Sequence, residues 1–230
     1  MKIDYILLDD CEHATGVVVV IDVLRAFTTA AHAFHAGVKR IWPVSKVSEA
    51  RALQQTMSHA LLAGEEHGLP IPGFDFGNSP TQFVGMDLQG REMIQRTTAG
   101  TQGLVRSVNA EFLFAASFVC AQATVNAILQ LQPANVTFVI TGQFPGNPGD
   151  EDWACAEYLA TLLQGDAPDP TPWLQRVRKS FIAQRFLQSP PNFPATDVSL
   201  AMQLDRFDFS MPVQRIDERL CIVPHHSHEL

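Results

Sequence analysis

Short runs of β-branched and apolar residues alternate along the chain with longer stretches in which small and apolar residues recur at helical spacing. Val17-Val18-Val19-Val20-Ile21 contains no polar position, the pattern of a strand covered on both faces. The Ala-rich stretch Leu24 to Ala36 follows at once and ends at Gly37, so the pair reads as a strand-to-helix unit. Val38 to Val44 predicts a second strand. Ser45 opens a helix to about Met57 with Glu49 in its first turns, where an acid suits the free N–H groups. Ala60 to Ala63 predicts a short strand. Met93 to Arg96, Phe112 to Ala115 and Val136 to Ile140 predict further strands, leading into helices from about Thr101, over Val119 to Leu131, and over Asp152 to Leu163. This rhythm specifies an α/β protein, a three-layer α/β/α arrangement on a largely parallel or mixed sheet.

The pattern changes twice. Gly64 to Pro80 is rich in glycine and proline, too irregular for regular structure and too specific for a linker, and long loops of this kind are often functional. After Gly165, Asp166-Ala167-Pro168-Asp169-Pro170 makes a turn-rich joint, and Thr171-Pro172 supplies an N-cap followed by proline at the first helical position. Helices are predicted over Trp173 to Leu187 and Thr196 to Leu204, and Gln214 to Val223 is predicted to return as an edge strand. The expected division is a catalytic α/β core over 1–165 and a helical C-terminal region over 166–230 packing on it. The tail, His225-His226-Ser227-His228-Glu229-Leu230, has a metal-binding composition, but a chain end of this kind is expected to be solvated.

At 230 residues the chain can bury a sizeable core, and 46% hydrophobic with 17% charged residues excludes a disordered polypeptide. The apolar run Val17 to Ile21 is too short to span a bilayer. Met1-Lys2-Ile3-Asp4-Tyr5 does not open an export signal, so a cytoplasmic protein is expected. Cys11, Cys120, Cys155 and Cys221 are scattered without a CxxC pair and read as reduced packing residues. With 16 basic against 24 acidic residues the net charge is -8, and no basic cluster interrupts it, so neither nucleic acid nor membrane is an expected partner. A homodimer remains open. An acidic protein that binds an anionic metabolite must build a local positive site from a metal, a few arginines, or N–H groups at helix starts.

Candidate chemistry gathers at predicted strand ends, where open α/β sheets bind ligands. Asp22 follows the first buried strand, and Arg25 falls in the first turn of the next helix, where a cation is disfavoured unless it meets an anion. A capping aspartate with a surface arginine accounts for the same spacing equally well. Gly64-Glu65-Glu66-His67-Gly68 puts carboxylates on a glycine turn, and Gly73-Phe74-Asp75-Phe76-Gly77-Asn78-Ser79-Pro80 is a shaped loop with hydrogen-bonding side chains. Thr97-Thr98-Ala99-Gly100-Thr101 offers hydroxyls and freed N–H groups before a helix, a cradle for an anion without lysine or a simple cap. No GxxxxGK[ST] loop is present. Asp150-Glu151-Asp152 opens the helix after Thr141-Gly142-Gln143. Magnesium takes a few hard oxygen ligands and keeps waters, so Asp22, Glu65 and one of Glu151 or Asp152 form a sufficient set.

Taken together, Val20-Ile21-Asp22-Val23-Leu24-Arg25-Ala26, Gly64-Glu65, Gly73 to Pro80, Thr97 to Thr101, Ser117-Phe118 and Glu151-Asp152 resemble the 2-phosphosulfolactate phosphatase family. The resemblance is strongest over roughly 1–165. It implies a layered α/β/α fold and a Mg²⁺-requiring phosphatase that converts 2-phospho-3-sulfolactate, a small phosphate ester, to 3-sulfolactate and phosphate, a step toward coenzyme M. On that reading Asp22 and Arg25 are catalytic. Arg25, Asn78, Ser79, Thr97, Thr98, Gly100 and Thr101 bind substrate, and Asp22, Glu65, Glu151 and Asp152 hold the metal. Two positions depart from the family's usual pattern: Ala99 stands where Asn is common, and Glu66-His67 where Arg-Asn is common. A glutamate in place of a cation bears on whether the substrate carries a sulfonate. The competing class is a catalytically silent protein that keeps the anion pocket.

Overall fold

The all-apolar run at 17–21 is an interior strand in a computed structural model that describes residues 1–144, 146–188 and 192–226. In chain order the elements begin with β1 (Lys2–Leu7), β2 (Gly16–Ile21), α1 (Ala26–His35), β3 (Arg40–Pro43) and α2 (Val47–Thr56). Next come β4 (Leu61–Glu66), β5 (Leu69–Pro70), β6 (Glu92–Arg96), α3 (Gly100–Arg106), β7 (Ala110–Ala116), α4 (Ala121–Gln130), β8 (Asn135–Ile140) and α5 (Asp150–Leu163). The C-terminal part adds α6 (Thr171–Lys179), α7 (Phe181–Leu187), α8 (Ala195–Ala201), β9 (Phe209–Ile216), β10 (Arg219–Ile222) and β11 (His225–His226).

Alternation along β2 explains the layering. Val18 and Val20 join a core cluster with α1 and with Leu104 of α3, whereas Val17, Val19 and Ile21 join a second cluster with α4, α5 and α6. Helices therefore cover both faces of the sheet, as an unbroken valine run requires. Among the described residues the strands form one eleven-stranded mixed sheet in the order β1-β8-β2-β7-β9-β10-β3-β6-β4-β5, with β11 pairing β9.

Two parallel blocks, β1-β8-β2-β7 and β3-β6-β4, are joined by the antiparallel hairpin β9-β10. The segment expected at the sheet edge over Gln214 to Val223 thus lies inside the sheet, between β7 and β3, and the region after Gly165 contributes strands as well as helices. Its burial explains the position: Phe209, Met211, Cys221 and Ile222 are all in the core. The hairpin turns on Asp217 and Glu218, both at positive φ (48° and 64°), so it lacks the Asn-Gly or Asp-Gly signal that usually marks such a turn.

Smaller differences have local causes. β1 pairs with β8 in parallel at the end of the sheet, although its Lys-Ile-Asp-Tyr-Ile-Leu sequence is half polar. The single helix expected over 173–187 is broken at Ser180, whose extended backbone starts α7 and whose hydroxyl accepts from Ala183 N–H. Asp169, not Thr171, caps α6 by accepting from the Thr171 N–H and hydroxyl. His225 and His226 pair with Ser210 and Phe209 rather than fraying, and the expectation for 227–230 lies outside the described residues. All four cysteines are free and buried. Among the described residues no helix is long and apolar enough to cross a membrane.

Candidate active site

Three antiparallel pairings separate the two parallel blocks, yet the carboxyl ends of β2, β4 and β6 meet. The α3 start that follows β6 lies against Asp22, which follows β2, and both border a cavity of about 980 Å³. Asp22, Arg25, Glu65, Asn78 and Thr98 all line it, together with His67, Thr141, Asn147, Arg185 and the apolar side chains of Leu24, Ile182, Phe186 and Phe193. One wall therefore comes from the α7 region. Nothing in the apolar pattern of 181–193 distinguishes these wall residues from ordinary helix and turn positions.

Asp22 is buried, and its Oδ1 accepts from Ala26 N–H at 2.9 Å, so the first turn of α1 fixes the carboxyl. Burial pushes its pKa up to about 7; the Ala26 and Gly100 N–H groups oppose the rise, and the nearby Glu65 and Glu151 charges add to it. Glu65 is held at the end of β4. Its Oε2 accepts from Gly68 N–H and from the Thr98 hydroxyl at 2.9 Å, while Oε1 accepts from Thr98 N–H. Gly64 makes this possible: at φ 144° it brings β4 so close to β6 that an added Cβ would stand 1.8 Å from the Arg96 carbonyl oxygen.

Glu151 and Asp152 lie in the first turn of α5. Asp152 joins strand ends: Oδ1 accepts from Val23 N–H at 2.8 Å and Oδ2 from Gly142 N–H at 2.7 Å and the Thr141 hydroxyl at 3.2 Å. Glu151 is as deeply buried, and among the described residues its Oε2 has no hydrogen-bond partner. Burial raises both pKa values. The charges of Glu151 and Asp22 raise Asp152 further, and that of Asp150 raises Glu151, against which the Ser180 and Asn147 side chains act.

Arg25 is anchored rather than free. It is 5% exposed, donates to Asp197 Oδ2 at 3.0 Å and to the Asn192 carbonyl at 3.0 Å, and lies over the rings of Phe186 and Phe193. Asp197, wholly buried in α8, also accepts from the hydroxyls of Ser79 at 2.7 Å and Thr81 at 2.6 Å. Ser79 thus serves this buried ion pair and does not line the cavity. Thr97 and Thr101 likewise bond one another, Thr97 N–H donating to Thr101 Oγ1 and Thr101 N–H to Thr97 Oγ1, and stay behind the cavity wall. Gly100 faces Asp22, and Asn78 points a buried Oδ1 without a partner among the described residues. The Thr97 to Thr101 segment therefore spends donors on Glu65 and Asp22 rather than leaving all of them open for an anion.

Residues 6–213 match the sequence model of the family described as 2-phosphosulpholactate phosphatase. The chain belongs to the 2-phosphosulfolactate phosphatase family. It is 34% identical over 202 residues to a probable 2-phosphosulfolactate phosphatase of Bacillus subtilis, covering 87% of this chain and 88% of that one. Proteins with the same description from Carboxydothermus hydrogenoformans and Deinococcus radiodurans are 44% and 36% identical, over 64% and 71% of this chain and 60% and 68% of theirs. Membership makes the chain a phosphoric monoester hydrolase. The match extends beyond Gly165 to β9, so the cavity wall from α7 and Asp197 from α8 lie within the shared region. Of the three residues singled out as departures in the sequence, Ala99 and His67 line the cavity, whereas Glu66 is half exposed and paired with Arg96 at 3.2 Å.

Proposed function

We propose that the chain is a magnesium-dependent phosphatase that hydrolyses 2-phospho-3-sulfolactate to 3-sulfolactate and phosphate in the cytoplasm, a step toward coenzyme M. The observation that carries this reading is the crowding of buried carboxyls around Asp22 beside a large cavity, with Arg25 already engaged by Asp197. Beside these carboxyls a phosphoryl group needs further positive charge close to it, which Arg25, neutralised by Asp197, does not supply.

Magnesium fits the residues present. Glu151 Oε2 is buried without a partner, and Asp22, Glu65 and Glu151 interact electrostatically. Among the described residues no three His, Cys, Asp or Glu side chains are close enough to enclose an ion unaided. That arrangement suits a cation that takes one or two carboxylates and keeps its waters. Asp22 and Glu151 would hold it, directly or through its waters, while Glu65 and Asp152, each with both oxygens occupied, would orient the strand ends beside them. When bound, the cation supplies neutralisation of phosphate oxygens.

The chain's own residues supply the rest. Asp22, fixed by Ala26 N–H, faces the ester and either attacks phosphorus or orients the water that does. Asn78 and the guanidinium of Arg25 border the substrate, and Leu24, Ile182, Phe186 and Phe193 limit water, which strengthens every polar contact inside. Buried, disulfide-free cysteines support a reducing compartment. The test is phosphate release from 2-phospho-3-sulfolactate, 2-phospholactate and phenyl phosphate at neutral pH, with Mg²⁺ or excess chelator. Release that chelator abolishes and Mg²⁺ restores supports the reading. No release from any ester rejects it, and undiminished release in chelator rejects the metal.

A further inference from the structure

Two arginines line the cavity, and they differ in one respect. Arg25 is buried and neutralised by Asp197. Arg185, on α7, is exposed, lies over the ring of Phe193 with its guanidinium carbon 4.9 Å from the ring centre, and has no carboxylate partner among the described residues. Among the described residues Arg40, Arg96, Arg106 and Arg176 are paired with acids while several surface arginines are not, so what sets Arg185 apart is that its free guanidinium lies in the cavity lining. An aromatic platform holds a guanidinium in one plane and leaves its N–H edge available, which is the presentation that recognises a planar or tripodal anion.

Charge and size give this edge a purpose. Asp22, which follows β2, and Glu65, at the end of β4, line the same cavity as the α7 wall, so carboxyl groups border the place where phosphorus reacts, and a second anion on the same substrate is better placed against α7 than beside them. The cavity, at about 980 Å³, far exceeds the volume of a phosphoryl group and leaves room for a substituent extending toward α7. Glu66, the residue that would oppose such an anion, is turned to Arg96.

We propose that Arg185 is a specificity-determining residue that binds the non-reacting anionic group of the substrate, its carboxylate or sulfonate, and so selects polyanionic phosphate esters over simple ones. The proposal rests on the phosphatase reading of this cavity. It adds the substrate feature that the α7 wall reads.

The experiment compares wild type with Arg185→Gln and Arg185→Lys on 2-phospho-3-sulfolactate, 2-phospholactate, 2-sulfoethyl phosphate and phenyl phosphate. Arg185→Gln should lower kcat/KM for the first substrate by about 10- to 100-fold, mainly through KM, and leave phenyl phosphate unchanged. Arg185→Lys should restore part of the loss. Of the two esters that carry a single further anionic group, a loss confined to 2-sulfoethyl phosphate assigns the sulfonate, and one confined to 2-phospholactate assigns the carboxylate. Equal losses on all four esters, or no loss on the first, overturn the proposal. Calorimetric titration with 3-sulfolactate separates it from the phosphatase reading. Wild-type binding that weakens at least about tenfold in Arg185→Gln upholds the proposal even if no ester is hydrolysed, and equal binding, or none by wild type, overturns it.

Discussion

Replacing Gly100 by alanine adds one methyl at the most crowded point of the site. The new Cβ would lie 2.7 Å from Asp22 Oδ2, 3.1 Å from Asp22 Cβ and 2.7 Å from Ala26 Cβ. None of these atoms can swing away: Asp22 and Ala26 are buried, and Asp22 Oδ1 is held by the Ala26 N–H. Reaching ordinary carbon contacts of about 3.5 Å requires a separation of roughly 0.8 Å between α3 and the start of α1. Overpacking of this size costs about 1–3 kcal/mol, offset by about 0.5–1 kcal/mol because alanine is the better helix residue and restricts the unfolded chain. The net loss of stability is therefore modest, about 0–2.5 kcal/mol. Activity responds more strongly, because a misplacement of about 1 Å at a reacting group costs on the order of a hundredfold. Urea denaturation and phosphate release on the same preparation measure the two effects. A folded Gly100→Ala variant with near-wild-type kcat/KM would refute the claim that close approach to Asp22 is the reason for glycine here.

Two further perturbations test the electrostatics. Arg25→Ala should lower stability by about 3–5 kcal/mol, because it strands Asp197 as an uncompensated buried charge, and an unchanged urea midpoint would contradict the buried pair. In chelator, stability should fall as pH rises. The Asp22 carboxyl, ordinarily near 3.8, stays protonated in the fold up to about 7, so the folded chain binds more protons between those values. Its contribution, at most about 4 kcal/mol, is complete below the lower value and lost as pH passes the upper one, and the raised Glu151 and Asp152 act in the same direction. Urea midpoints near pH 5.5 and pH 8 check this, with Asp22→Asn expected to flatten the difference and a higher midpoint near pH 8 in wild type speaking against it.

The parts of the fold that were legible in the sequence are those whose burial leaves a periodic trace. β2 is covered on both faces and so is written in valine and isoleucine alone, and the helix after it stops at a glycine. β1 is only partly covered and its mixed sequence is silent. The β9-β10 hairpin is hidden for another reason: its turn residues adopt positive φ without glycine, and its place between two parallel blocks is settled by packing far along the chain. At the site, Asp22 and Gly100 follow strands and Glu65 lies at the end of one, and strand ends can be located from pattern. Arg185 and Asp197 sit in short helices where a charged residue is unremarkable, so only the folded chain brings them to the cavity and to Arg25. Thr97, Thr101 and Ser79 show the converse. Their hydroxyls suit an anion, but each finds a partner within the protein.

Asp22 stands at the centre of the proposed phosphate-ester site, so its carboxyl is the group to remove. Steady-state phosphate release from 2-phospho-3-sulfolactate, with saturating Mg²⁺ at neutral pH, should be measured for wild type and Asp22→Asn, both confirmed as folded by urea denaturation. Wild type is expected to turn over, and the variant to lose about a hundred- to ten-thousandfold in kcat. An Asp22→Asn protein that releases phosphate nearly as fast as wild type would contradict this placement of Asp22.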